Sequence, residues 1–133
     1  MINKDMLKGI MLSHAQPIVQ VGKDIKFKIG YYVRVNVSIR GNDLFLKAIQ
    51  RSLLQYAIES RIKERESNTR PHPIMYIRGN GNLTRLIQEF IEEPIIDSHG
   101  KWLPFISCLE IILERKHTTQ NGFDEIVSIL ESD

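Results

Sequence analysis

The stretch DIKFKIGYYVRVNVSIR, residues 24–40, decides the fold, because apolar and polar residues alternate along it without a slip. The odd positions from Ile25 to Ile39 are apolar or aromatic, and the even positions are charged, hydrogen-bonding or glycine. A period of two is typical of a strand with one buried face and one exposed face. The segment predicts one long strand, with Gly30 as the place for a bend, and a basic row on the face opposite the core.

Two hairpins are predicted around this pattern. The short apolar run 17–21 is followed by the turn residues 22–24, so the first strand should pair antiparallel with the long one. Residues 61–65 and 72–78 flank the turn-rich segment 67–71 and predict the second hairpin.

The segments between and after the hairpins have the apolar periodicity of helices. The first sixteen residues have a helical pattern that Pro17 ends. Two further helices are predicted after the caps Asn42 and Asn82, and residues 102–133 read as two more. The order predicts an α+β fold in which both hairpins join one sheet and all helices cover the same face.

Length and composition favour one soluble domain over residues 1–133. The chain has a mass of 15.4 kDa, 42% apolar and 26% charged residues, and a mean hydropathy of −0.20. No apolar run approaches the roughly 18 residues of a membrane-spanning helix, and the N-terminus lacks the features of a secretory signal. The single cysteine, Cys108, allows no internal disulfide, and its helical apolar stripe predicts a buried structural thiol. We expect a cytoplasmic location.

The net charge of +2 hides a division along the chain. Residues 1–80 carry fourteen Lys or Arg against six acids, a sum of +8, and residues 81–133 carry four against ten, a sum of −6. This asymmetry is typical of a protein with one basic face for a polyanion and an acidic remainder, although ordinary solvated charge gives the same totals.

The candidate binding residues lie on the basic face of the predicted sheet. Arginine pairs with guanine edges, asparagine with adenine and lysine with phosphate, and an antiparallel ribbon fits a major groove. A sheet face that meets water or another protein is the alternative. The residues assigned to duplex DNA contact are Lys26, Lys28, Tyr32, Arg34, Asn36, Ser38, Arg40, Arg61, Lys63, Arg65, Tyr76 and Arg78.

General catalytic and metal motifs are absent from the sequence. No pair of histidines has an HxxH or HExxH spacing, so zinc is not expected. The histidines lie far apart, at His14, His72, His99 and His117.

Four segments together resemble the LAGLIDADG homing endonucleases: residues 38–44, 49–53, 59–63 and 72–83. The resemblance covers about residues 5–113 and includes the lysine-aromatic entry to a closing helix at 101–105. It implies an αββαββα domain whose four-stranded antiparallel sheet forms a saddle on DNA, with helices on one face. Residues 117–133 form a helical C-terminal tail with no counterpart in this comparison.

The name-giving motif of that family corresponds to residues 7–15, LKGIMLSHA. Leu7 and Gly9 agree with it, and the glycine lets two such helices approach closely. One motif in the chain implies a homodimer through the N-terminal helix. The interface residues implied are Leu7, Gly9, Ile10 and Ser13.

The motif departs from the family at the position of its metal-binding carboxylate, where this sequence has His14. Because Mg²⁺ prefers oxygen ligands, cleavage through this position is doubtful. We therefore expect a duplex DNA-binding protein of the homing-endonuclease type with degenerate or lost cleavage and no cofactor. One alternative is an active Mg²⁺-dependent endonuclease whose acid is Asp5 or Asp24. The other is a protein-binding or RNA-binding module on the same scaffold.

Overall fold

The computed structural model of the chain describes residues 2–97 and 100–132, and His99 lies outside them. A short 3-10 turn, Pro94–Ile96, lies between the third and fourth α-helices. The helices and strands, in chain order, are α1 (Lys4–Ser13), β1 (Gln16–Lys23), β2 (Tyr31–Arg40), α2 (Asp43–Leu54), β3 (Arg61–Lys63), β4 (Ile74–Ile77), α3 (Asn80–Phe90), α4 (Trp102–Leu113) and α5 (Gln120–Glu131).

The two hairpins form one antiparallel sheet in the order β1-β2-β4-β3, which confirms the predicted α+β fold. The odd positions of β2 face the helices, and Val37 and Ile39 are fully buried there. Met75 and Ile77 of β4 pair with these positions and complete the sheet's part of the core. Within residues 2–97 and 100–132, no helix of this core lies on the opposite face of the sheet.

The prediction of a strand from residue 25 was wrong. Residues 24–30 form the loop between β1 and β2, closed by the hydrogen bond from the Asp24 amide to the Gly30 carbonyl at 3.0 Å. β1 ends at Lys23, which pairs with Tyr31, so the alternating residues between them have no strand to pair with. Ile25 is 98% exposed as a result.

The start of α3 also differs from the prediction. The helix begins at Asn80, preceded by Gly79 with φ +93°, a conformation that favours glycine. Asn82 lies inside the first turn and does not cap the helix. Its side chain accepts from the Glu59 amide and donates to the Arg78 carbonyl, and so ties α3 to both neighbouring segments.

The N-terminal helix α1 is fixed into the core by its inner face. Leu7 and Met11 are fully buried, and the Trp102 indole Nε1 donates to the Met11 carbonyl at 2.9 Å. This bond joins α4 to the last turn of α1, where backbone carbonyls have no partner within the helix.

Helices α4 and α5 pack on the helical side of the first hairpin. A second buried cluster, with Cys108 and Ile126 at its centre, contacts Val33 and Val35 of β2. The Cys108 thiol is fully buried, and burial raises its pKa to about 11, as expected of a structural thiol. The C-terminal helices therefore leave the other face of the sheet uncovered. No helix in the described ranges is both long and apolar enough to cross a membrane.

Candidate nucleic-acid interface

The strand register places the predicted binding residues of both hairpins on one face. Residues paired directly across an antiparallel sheet project to the same side. Ser38 pairs with Tyr76, and Tyr76 pairs with Arg61, so alternate residues of three strands share this side. We name this surface the basic face; its strand residues are Tyr32, Arg34, Asn36, Ser38, Arg40, Arg61, Lys63 and Tyr76.

The remaining predicted residues lie where the strands end. Lys26 and Lys28 belong to the loop that joins β1 to β2, and Arg65 follows β3. Arg78 comes directly after β4. The structure therefore brings the strand cations of both hairpins to one side of the sheet, and Lys26, Lys28, Arg65 and Arg78 lie in the segments next to the strands.

Few acids neutralise the basic face. Of its eight predicted Lys and Arg residues, only Arg40 forms an ion pair within the part of the chain that the structure describes. The ion pairs of Lys residues lie outside the strands, for example Lys4 with Glu89 and Lys8 with Glu92. A helix-free surface with uncompensated positive charge attracts polyanions.

Two guanidinium groups of the basic face stack on tyrosine rings. Arg34 lies 4.5 Å from the centroid of the Tyr32 ring, and Arg78 lies 4.5 Å from that of Tyr76. The Tyr32 ring itself lies across Gly22 on β1, where an added Cβ would come within 2.4 Å of the ring. These contacts orient the arginines while leaving their charge without an acidic partner.

Arg40 differs from the other cations of this face. Its Nε and Nη2 donate to the two carboxylate oxygens of Glu66 at 2.6 and 2.7 Å, and its Nη1 donates to Gln16 Oε1 at 3.2 Å. These hydrogen bonds raise the pKa of Arg40 and lower that of Glu66. Arg40 was predicted to contact DNA; in the structure its guanidinium donors are engaged by Glu66 and Gln16.

Ser38 is also unsuited to direct contact. It is 1% exposed because the larger Gln16 and Tyr76 flank it on the neighbouring strands. Its Oγ has no hydrogen-bond partner among the described residues. The predicted DNA contact of Ser38 would need its buried hydroxyl to become accessible.

Sequence reasoning missed the contribution of β1 and of the α4–α5 connection to this surface. Gln16 and Gln20 share the basic face, which the alternation of β1 could have indicated. A groove of about 410 Å³ beside β2 is lined by Arg34, Arg78 and the partly buried His117, among others. Burial lowers the pKa of His117, which favours its neutral form. Nothing in the local sequence signals this position.

Gly9 and Ser13, which were assigned to the dimer contact, are exposed on the outward face of α1. Met6, which the motif comparison omitted, is 56% exposed on the same side. A Cβ added at Gly9 would meet no atom within 4 Å. Ile10 is partly buried against its own core. Leu7, also assigned to the interface, is fully buried within its own chain.

Residues 12–16, at the end of α1, include no Asp or Glu. His14 is exposed, and its Nδ1 lies 3.2 Å from Ser13 Oγ. Asp5 lies about 13 Å away along the helix axis, and Asp24 lies in the loop beyond β1, where its Oδ1 accepts from the Lys26 amide. Across residues 2–97 and 100–132, no group of three or more His, Cys, Asp or Glu is arranged to hold a metal ion. The residues at this end do not fit the hard oxygen coordination that Mg²⁺ requires.

Comparisons with known proteins match the chain by structure. No family model and no curated protein matches its sequence. I-SmaMI, solved bound to an uncleaved DNA target with calcium ions, aligns with a TM-score of 0.82 at 22% identity, over 99% of this chain and 45% of that one. The LAGLIDADG meganuclease I-CpaMI, bound to uncleaved DNA, aligns with a TM-score of 0.81 at 19% identity, over 97% and 44%.

A shorter solved chain gives a similar result. The homing endonuclease I-TnaI aligns with a TM-score of 0.77 at 16% identity, over 96% of this chain and 85% of that one. This chain spans less than half the length of the I-SmaMI and I-CpaMI chains. The alignment over 99% of this chain includes α5, so the C-terminal tail has a counterpart after all.

Proposed function

Because the chain has the fold of the LAGLIDADG homing endonucleases, we propose that its basic face binds duplex DNA. One observation carries this proposal. The strand cations of both hairpins lie on the same side of the sheet, and all but Arg40 form no ion pair. I-SmaMI and I-CpaMI, which have the same fold, were solved on DNA targets. Phosphates attract the cations, and guanidinium groups held against Tyr32 and Tyr76 are arranged to reach base edges in a major groove.

The chain acts as one half of a symmetric pair in this proposal. The outward face of α1 is open at Gly9, where an added Cβ would meet no atom within 4 Å. The exposed Met6, Gly9 and Ser13 permit close approach of the same helix from a second copy. Two basic faces would then lie side by side along the duplex.

Cleavage by the metal-dependent mechanism that the family resemblance implies is not part of this function. That mechanism uses a carboxylate at the end of the motif helix, and His14 occupies the position here. Incubation of supercoiled plasmid with Mg²⁺ should leave the plasmid intact. Nicking that disappears in Asp5→Asn or Asp24→Asn would contradict this and would identify a non-standard acid.

Binding is tested with matched charge variants. The double variant Arg34→Gln/Arg61→Gln removes two cations without an ion pair from the basic face, and Lys47→Gln/Arg51→Gln removes two exposed cations from α2, away from that face. In electrophoretic mobility shifts, the first should lose about tenfold or more in affinity, since each contact is worth roughly 1–3 kcal/mol. The second should bind within about twofold of the parent chain.

Equal losses in the two double variants would mean that net charge, and not the basic face, controls binding. Absence of any shift with duplex DNA by the parent chain would contradict the proposal itself. Preferential binding of single-stranded RNA over duplex in the same assay would replace DNA by RNA as the partner.

A further inference from the structure

Glu66 lies where an acid should weaken binding to a polyanion. It is in the loop between β3 and β4, its side chain is 17% exposed, and both of its carboxylate oxygens bond to Arg40 of the basic face. Arg70 Nη1 lies 3.8 Å from the same carboxylate. The low pKa of Glu66, caused first by the Arg40 hydrogen bonds, keeps it negative at neutral pH.

The loop that carries Glu66 is held by its own backbone hydrogen bonds. The Glu66 amide donates to the His72 carbonyl at 2.9 Å, and the Ser67 amide donates to the Arg70 carbonyl at 3.0 Å. Lys63 Nζ donates to the Glu66 carbonyl at 3.2 Å. Glu66 is thus the point at which this loop is joined to β2 and, through Arg40 and Gln16, to β1.

From this geometry we infer that Glu66 is a positioning residue for DNA binding, and the inference rests on the proposed function. The Arg40–Glu66 pair withdraws Arg40 from phosphate contact and fixes the loop of residues 64–73 beside the basic face. Two exposed cations of that loop, Arg65 and Arg70, then extend the face at a defined place. A bidentate guanidinium–carboxylate pair has the directionality that such a fixed joint requires.

The direction in which DNA affinity changes in charge variants distinguishes a positioning role of Glu66 from a purely electrostatic one. If Glu66 acted only through its charge, Glu66→Gln would strengthen DNA binding and Arg40→Gln would weaken it, with the double variant near the parent chain. If Glu66 positions the loop, both single variants break the same joint. Both should then weaken binding, and the double variant should be no worse than either, because residues that act as one unit are not additive.

The affinity measurement uses a mixed-sequence duplex of about 30 base pairs, roughly three helical turns. Glu66→Gln should lose roughly fivefold to tenfold in affinity, and the slope of log affinity against log salt should become shallower by about one. Glu64→Gln is the matched control, because it removes the same charge from an exposed neighbour without an ion pair among the described residues. It should bind as tightly as the parent chain or slightly more tightly.

Two results would overturn the inference. One is that Glu66→Gln binds the duplex as tightly as Glu64→Gln does. The other is that the double variant Arg40→Gln/Glu66→Gln recovers the affinity that Arg40→Gln loses. Amide hydrogen exchange gives a readout that does not depend on DNA. The Glu66 and Ser67 amides should exchange faster in Glu66→Gln and Arg40→Gln but not in Glu64→Gln.

Unchanged exchange at these amides would overturn the positioning role whether or not DNA binds. Faster exchange in a chain that binds no duplex would support the joint and contradict the proposed function. The two failures are therefore distinguishable.

Discussion

The replacement Gly9→Leu should raise the stability of the single chain and weaken its dimerisation. In the single chain, a side chain at Gly9 points into open space, since an added Cβ meets no atom within 4 Å. Leucine also removes the helix-propensity penalty of glycine, roughly 0.8 kcal/mol in an exposed helix interior. For a chain of this size, that gain should raise the Tm of the monomer by about 2–5 °C.

The same replacement should break the proposed dimer. In a two-fold symmetric dimer, each copy places its new leucine between the two α1 helices, which approach closely at Gly9. Overpacking costs about 1–3 kcal/mol for each inserted side chain, so the two copies together cost at least about 2 kcal/mol. The dimer Kd should therefore rise by about 30-fold or more.

Sedimentation velocity over a concentration series measures this shift, with thermal unfolding measured in parallel. Gly81→Leu is the control, because Gly81 is also exposed on a helix and its added Cβ meets only the Arg85 guanidinium, at 3.4 Å. It should leave the association unchanged. A Gly9→Leu chain that dimerises like its parent, or a parent chain that stays monomeric on DNA, would refute the reasoning.

Two further predictions concern stability. Burial lowers the pKa of His117 in the folded chain, so below about pH 6.5 the unfolded chain binds more protons and the free energy of unfolding falls as the pH falls. Thermal melts at several pH values should show this loss, and His117→Asn should reduce it; an identical pH dependence in the variant would contradict the assignment. Trp102→Phe leaves the Met11 carbonyl without its indole donor and should cost about 2 kcal/mol in urea unfolding. A cost below about 0.5 kcal/mol would mean that this bond does not hold α4 on α1.

The strand register is the part of the fold that the sequence predicts well. Alternation from Tyr31 to Arg40 fixes which side chains face the helices, because a one-residue slip would move every apolar residue to the wrong side. The same alternation is misleading from residue 25 to 29. Apolar residues continue there, but β1 ends at Lys23 and no partner strand remains. The alternation within one strand does not show where its partner strand ends.

The site is less predictable, because long-range partners decide which residues are free. Arg40 has the same pattern as Arg34, yet Glu66, 26 positions away, occupies its guanidinium. Ser38 is covered by neighbours on two other strands, and Leu7 turns inward because α1 packs on the core at that side. These outcomes depend on tertiary contacts that periodicity along one segment does not contain.

The salt dependence of duplex binding tests the central claim most directly. Seven Lys and Arg residues predicted on the basic face form no ion pair in the described structure. Each phosphate contact contributes about −0.9 to the slope of log affinity against log salt, so a chain that uses most of them should show a slope of roughly −5 or steeper. A slope near zero, with any affinity unchanged by salt, would contradict a phosphate-binding face.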